Sequence, residues 1–149
     1  MTQRKRRDVL LDSGAVSALA RDRKLLEAYL RLIEEDYDGS IRIPQPVLGE
    51  IFTGDPRKDV LVHRLINELC AKEKVVDQLT DAVAKRASAL RHKALMVEDR
   101  IGPIDAFVVG YAEERSHRSS ILILTSDLKH ITVLVGETAC KNIDVEHVS

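Results

Sequence analysis

Short apolar runs alternate with amphipathic stretches along the chain. Val9-Leu10-Leu11 is apolar without alternation and stops at Asp12-Ser13-Gly14, the pattern of a buried strand giving way to a helix behind an Asp or Ser cap. From Leu25, the residues Leu26, Tyr29, Leu30 and Ile33 recur at helical spacing until Asp36-Tyr37-Asp38-Gly39-Ser40 supplies a turn. A second strand, Ile41-Arg42-Ile43, ends at Pro44, and Pro46 suits the first turn of a helix carrying Val47, Leu48, Glu50 and Ile51. Gly54-Asp55-Pro56 breaks the chain before a helix with Leu61, Leu65, Ile66 and Leu69 on one face, and Val75-Val76 is a weak third strand.

Thr80-Asp81 can cap a helix whose stripe is Val83, Ala87, Leu90 and Ala94. Gly102-Pro103 opens the next helix, through Ile104, Phe107, Val108 and Tyr111, and puts Asp105 in its first turn. Ile121-Leu122-Ile123-Leu124 is the strongest strand, apolar throughout as a strand covered on both faces should be, and it ends in Thr125-Ser126-Asp127. Two short extended pieces, Ile131 to Val135 and Ile143 to Val145, close the sequence. Strands alternating with helices predict an α/β fold built on a parallel sheet, as one domain over residues 1–149 with residues 1–7 as a basic tail.

Composition narrows the function. Hydrophobic residues at 44% and charged residues at 32% fit a globular protein rather than a disordered one. The net charge of −1, from 23 basic and 24 acidic residues, excludes a generally basic polyanion binder, so any nucleic-acid contact must come from local patches. The densest patch, Arg4 to Arg7, reads as a solvated tail. It leads into only a few apolar residues, unlike a signal peptide, and no apolar run is long enough for a membrane span, which predicts a cytoplasmic protein. Cys70 and Cys140 form no zinc-type spacing and are expected to be reduced structural thiols. The five histidines lack the paired spacing of a His-based zinc centre, and two Phe, three Tyr and no Trp argue against a base-stacking platform.

The acids carry the candidate chemistry. In parallel sheets the ligand crevice lies beyond the carboxyl ends of the strands, so Asp12 and Asp127 should share a rim. Asp105 could point into it from its helix start, and Glu50 from the helix after the second strand. Each acid alone is also explained as a helix cap, a dipole partner or a solvated side chain. Together they would repel one another unless a hard divalent cation neutralised them, and a few carboxylates with a substrate phosphate suit Mg2+.

Four segments, Val9-Leu10-Leu11-Asp12-Ser13-Gly14-Ala15, Pro46-Val47-Leu48-Gly49-Glu50-Ile51, Ile104-Asp105-Ala106-Phe107 and Leu124-Thr125-Ser126-Asp127, together resemble the PIN-domain ribonucleases, and most closely the VapC toxins of bacterial toxin–antitoxin pairs. The resemblance spans nearly the whole length. It implies a PIN-like fold, a parallel five-stranded sheet flanked by helices in a three-layer α/β/α arrangement. It also implies metal-binding catalytic acids at Asp12, Glu50, Asp105 and Asp127, with Ser13 and Thr125 helping to order the site. Further implications are a Mg2+ or Mn2+ cofactor, an RNA substrate, a homodimer and a VapB-like antitoxin. The chain departs from many relatives at Gly102 and at Leu128-Lys129-His130, where further acids are common, which weakens the case for a second metal.

The expected reaction is hydrolysis of an RNA phosphodiester by a metal-activated water, leaving 5′-phosphate and 3′-hydroxyl ends. Arg21, Arg23, Lys24, Arg57 and Lys58, in segments that could flank the acidic rim, are the candidate RNA contacts; their bland reading is a solvated helix face. A receiver-type or haloacid-dehalogenase-like site would want a second acid near the first strand, where this chain has Ser13-Gly14. The competing function is a degenerate PIN-like module that binds RNA or a protein partner without cleaving.

Overall fold

A computed structural model describes residues 6–36 and 38–148. Strands β1 (Arg7–Leu11), β2 (Ile41–Pro44), β3 (Val76–Asp77), β4 (Ser120–Thr125) and β5 (Ile143–His147) form one sheet in the order β3-β2-β1-β4-β5, with every neighbouring pair parallel. Between them run helices α1 (Ser13–Arg21), α2 (Arg23–Asp36), α3 (Gln45–Ile51), α4 (Pro56–Cys70), α5 (Asp81–Ala94), α6 (Pro103–Arg115) and α7 (Leu128–Gly136). α1 packs with α2, α3 and α4, while α6 packs with α5 and α7, giving three layers. Val9, Leu10 and Leu11 on β1 and Ile121, Ile123 and Leu124 on β4 are almost wholly buried, which is why both strands read as unbroken apolar runs.

The central strand also carries a buried charge. Asp8 is fully buried and accepts hydrogen bonds from Arg115 Nε at 3.1 Å, Arg115 Nη2 at 2.8 Å, Ser119 Oγ at 2.8 Å and the Ser40 backbone N–H at 3.0 Å. Burial alone would push its carboxyl up, but the Ser119 hydroxyl, the Arg115 hydrogen bond and charge, and the Ser40 N–H together hold it below its ordinary value. This network ties β1 to the end of α6 and to the entry of β2.

Three expectations change. Residues 131–135, expected to be extended, belong to α7. Ile131, Thr132, Val133 and Val135 are β-branched and read as strand formers, but Asp127 caps the helix and Ile131 and Leu134, one turn apart, both reach the core. The basic tail is shorter than residues 1–7, because Arg7 begins β1 opposite Ser120 and pairs with Asp144 at 2.9 Å; Arg4 and Lys5 lie outside the described residues. Both cysteines are free, but Cys70 is exposed and has no packing role, whereas Cys140 is partly buried with Sγ 3.3 Å from Ser116 Oγ. No helix among the described residues is long and apolar enough to cross a membrane. The connection from α5 to α6 leaves Met96 74% and Val97 69% exposed.

Candidate metal centre

The chain moves from β1 to β2 on one side and reaches β4 on the other, so the strand order reverses between β1 and β4. A crevice opens there, beyond the carboxyl ends of the two strands. Leu11 and Leu124 are register partners, and the Asp12 N–H donates to the Leu124 carbonyl at 3.2 Å, so Asp12 and Thr125 leave the sheet side by side. Asp12 caps α1, accepting from the Ala15 N–H at 2.8 Å. Thr125, fully buried, donates its hydroxyl to Asp12 Oδ2 and accepts from the Asp127 N–H at 2.8 Å. One threonine thereby fixes the relative placement of two acids.

Gly14 is required by this meeting of elements. A Cβ there would lie 1.8 Å from Ser126 Oγ and 2.3 Å from Ser126 Cβ, so only glycine lets the start of α1 touch the turn after β4. Asp127 caps α7, Asp105 stands in the first turn of α6 behind Gly102 and Pro103, and Glu50 lies near the end of α3. Asp12, Glu50, Asp105 and Asp127 line a single cavity of about 360 Å³, together with Ser13, Arg100 and His130. The N-terminal ends of α1, α6 and α7 all face it, and their partial positive charge offsets part of the acidic repulsion.

That offset is incomplete. Burial pushes the Asp12 carboxyl above its ordinary value, despite hydrogen bonds from Thr125 and from the backbone of Ala15 and Ser126, and the Asp127 charge adds to the rise. The Asp105 carboxyl is pushed up to about 7, by burial first and then by the charges of Asp127, Asp12 and Glu50. The Oγ of Ser13 is buried in the same cavity with no hydrogen-bond partner among the described residues. Crowded carboxylates that resist ionisation, beside an unpartnered hydroxyl, fit a hard divalent cation: oxygen donors would be satisfied and the charge neutralised.

The sequence-based RNA contacts fall elsewhere. Arg21, Arg23, Lys24, Arg57 and Lys58 are exposed, but none lines the acidic cavity. Arg23 is engaged by Glu27 at 3.1 Å and Glu68 at 2.5 Å. Arg21 and Lys58 line a neighbouring groove with Thr53 and Ile51, one residue beyond Glu50. Two residues that the sequence reading passed over do line the cavity. Arg100 has a left-handed backbone, φ 71°, unusual for a bulky side chain. His130 sits one turn into α7 with Nδ1 2.7 Å from Asp127 Oδ2.

Residues 9–133 match the model of the PIN domain family. A search of curated proteins found no significant match. Among solved structures, the fold is similar to VapBC2 from Rickettsia felis, solved bound to a DNA fragment from its promoter (TM-score 0.67, 12% identity, 95% of this chain and 99% of that one). It is also similar to DNA-bound VapBC from Salmonella typhimurium (TM-score 0.64, 14% identity, 94% and 97%). FitAcB from Neisseria gonorrhoeae matches comparably (TM-score 0.63, 16% identity, 92% and 95%).

Proposed function

Because the chain belongs to the PIN domain family, we propose that it is a Mg2+- or Mn2+-dependent endoribonuclease acting as the toxin of a toxin–antitoxin pair. PIN domains are in general nucleases. The observation that carries the metal dependence is the convergence of four carboxylates on one cavity, with Asp105 held up to about 7 by burial and by its acidic neighbours. Such a group is poised to exchange its proton for a cation.

Asp12, Glu50, Asp105 and Asp127 would hold the ion, and Ser13 and Thr125 would order the site. A bound divalent ion supplies charge neutralisation at a phosphodiester and acidifies a water. The protein's own part is positioning. Thr125 clamps Asp12 to the Asp127 backbone, and the helix starts of α1, α6 and α7 favour an incoming phosphate. Arg100 is the one Arg or Lys among the described residues that lines the cavity, and we assign it to a non-bridging phosphate oxygen. The adjoining groove with Arg21 and Lys58 then extends the path of the RNA backbone. Arg23, Lys24 and Arg57 contribute to the more distant field.

The likeness to VapBC and FitAcB folds extends the reading to a VapB-like antitoxin, a homodimer and a cytoplasmic location, and the chain is read as one domain over residues 1–149. The test is cleavage of total bacterial RNA by the wild type and by Asp12→Asn, each with Mn2+ and with a chelator, followed by mapping of the ends. Metal-dependent cutting that leaves 5′-phosphate and 3′-hydroxyl ends, and is lost in the variant, is the expected outcome. Equal, metal-indifferent behaviour of both proteins would replace this reading with a non-cleaving binding module.

A further inference from the structure

His130 stands apart from the four acids in charge but not in space. It lines the same cavity, its side chain is 22% exposed, and Asp127 grips it twice. Asp127 Oδ1 accepts the His130 backbone N–H at 3.3 Å and Oδ2 lies 2.7 Å from Nδ1, so the helix cap also fixes the imidazole. A ring nitrogen of His130, a carboxylate oxygen of Asp105 and one of Asp127 all lie within 4.8 Å of one another. Donors that share one cation at about 2.0–2.2 Å lie about 3–4.4 Å apart, so side-chain rotations of ångström scale close the set.

The chemistry of that set differs from a purely acidic one. A further carboxylate would add charge to a cluster that already repels itself, whereas a neutral imidazole adds a lone pair and no charge. Mg2+ favours oxygen donors and parts reluctantly with its waters, while imidazole suits first-row transition ions. Mn2+ accepts carboxylates and imidazole together.

We propose that His130 is a nitrogen ligand of the divalent cation held by Asp105 and Asp127, and that it tunes the site toward Mn2+ over Mg2+. The inference rests on the proposed metal dependence but not on cleavage of RNA. It assigns a selectivity to this site that the carboxylates alone would not have.

The test uses the purified full chain. Pulsed electron paramagnetic resonance of the Mn2+-loaded protein reads ligand nitrogen directly, and Mn2+ titration with Mg2+ competition reads selectivity. The wild type should show coupling to an imidazole ¹⁴N that disappears in His130→Ala. That variant should bind Mn2+ about 10–100-fold more weakly, with a smaller loss for Mg2+. His130→Asp, which supplies oxygen instead, should regain Mg2+ binding without nitrogen coupling. Bound Mn2+ with no ¹⁴N coupling in the wild type would overturn the ligand assignment, as would an unchanged Mn2+/Mg2+ ratio in His130→Ala, and either would leave the metal centre itself standing. Wild-type protein that binds no Mn2+, or binds it equally after Asp105→Asn, would overturn both the assignment and the proposed metal dependence.

Discussion

Asp8 lies near the start of β1 and Asp12 just past its end, and both are buried, at 0% and 4% exposure. Burial pushes both carboxyls up. At Asp8 the Ser119 and Arg115 hydrogen bonds, the Arg115 charge and the Ser40 N–H reverse the effect, and the carboxyl ends below its ordinary value. At Asp12 one hydroxyl and two backbone N–H groups do not, and a neighbouring carboxylate works against them. Burial therefore does not decide how a carboxylate behaves; the hydrogen-bond donors around it, together with a fixed cation, do. Asp8 has such a cation built into α6, whereas Asp12 has no ion-pair partner among the described residues, a place the proposed divalent ion would take.

The largest test of this contrast is Asp8→Ala. It leaves the Arg115 guanidinium with Asp77, at 3.6 Å, as its one acidic partner among the described residues, and should cost about 3–5 kcal/mol in urea unfolding near pH 7. A loss below about 1 kcal/mol would reduce the network to an ordinary surface pair.

Next in size is the pH dependence of the metal-free protein. The Asp105 carboxyl ionises near 3.8 when unfolded and at about 7 when folded. Between those values the folded state binds more protons, so stability falls as pH rises through that window, by up to roughly 4 kcal/mol. Asp8 has the opposite sign: its stabilisation is present above 3.8 and is lost as pH falls through its depressed folded value. Thermal unfolding across this range should show Asp105→Asn more stable than the wild type at about pH 8 without metal. Saturating Mn2+ should reverse the order, because only the wild type gains the full binding energy.

Thr125→Val sharpens the comparison by removing the hydroxyl that joins Asp12 to the Asp127 N–H. It should cost about 1–3 kcal/mol in denaturant unfolding and weaken Mn2+ binding in the same preparation. The smallest effect belongs to Arg100→Gly, which relieves a left-handed backbone at φ 71°. A gain of about 0.5–1 kcal/mol in stability is expected. RNA binding should weaken as well, with the slope of log affinity against log salt smaller by about 1.

Much of this arrangement was legible in the sequence because it is local. The runs 9–11 and 121–124 read as central strands since both faces are covered, and the acids after them mark the carboxyl rim. Glu50 and Asp105 could be placed near that rim from the proline-marked helix starts before them. His130 was passed over for a connected reason: with residues 131–135 read as extended, nothing placed the imidazole one helical turn from Asp127. Arg100 carries no sequence signal of its φ, since a turn of that kind ordinarily advertises itself by glycine or asparagine. The RNA contacts rest on charge and on segments expected to flank the rim, neither of which fixes where a side chain points. Arg23 is occupied both by Glu27, four residues on, and by Glu68, 45 residues away and beyond the reach of local pattern.

The pairing of β1 with β4 has a consequence for how the centre could be taken apart. The exposed connection around Met96 and Val97 divides the sequence into a piece bearing Asp12 and Glu50 and a piece bearing Asp105 and Asp127. Asp12 and Thr125, 113 residues apart, meet only across the seam between those pieces. A chain severed there would carry two of the four acids on each half, and only docking of β1 on β4 and of α5 on α6 would bring all four together: a two-input gate written into the chain order.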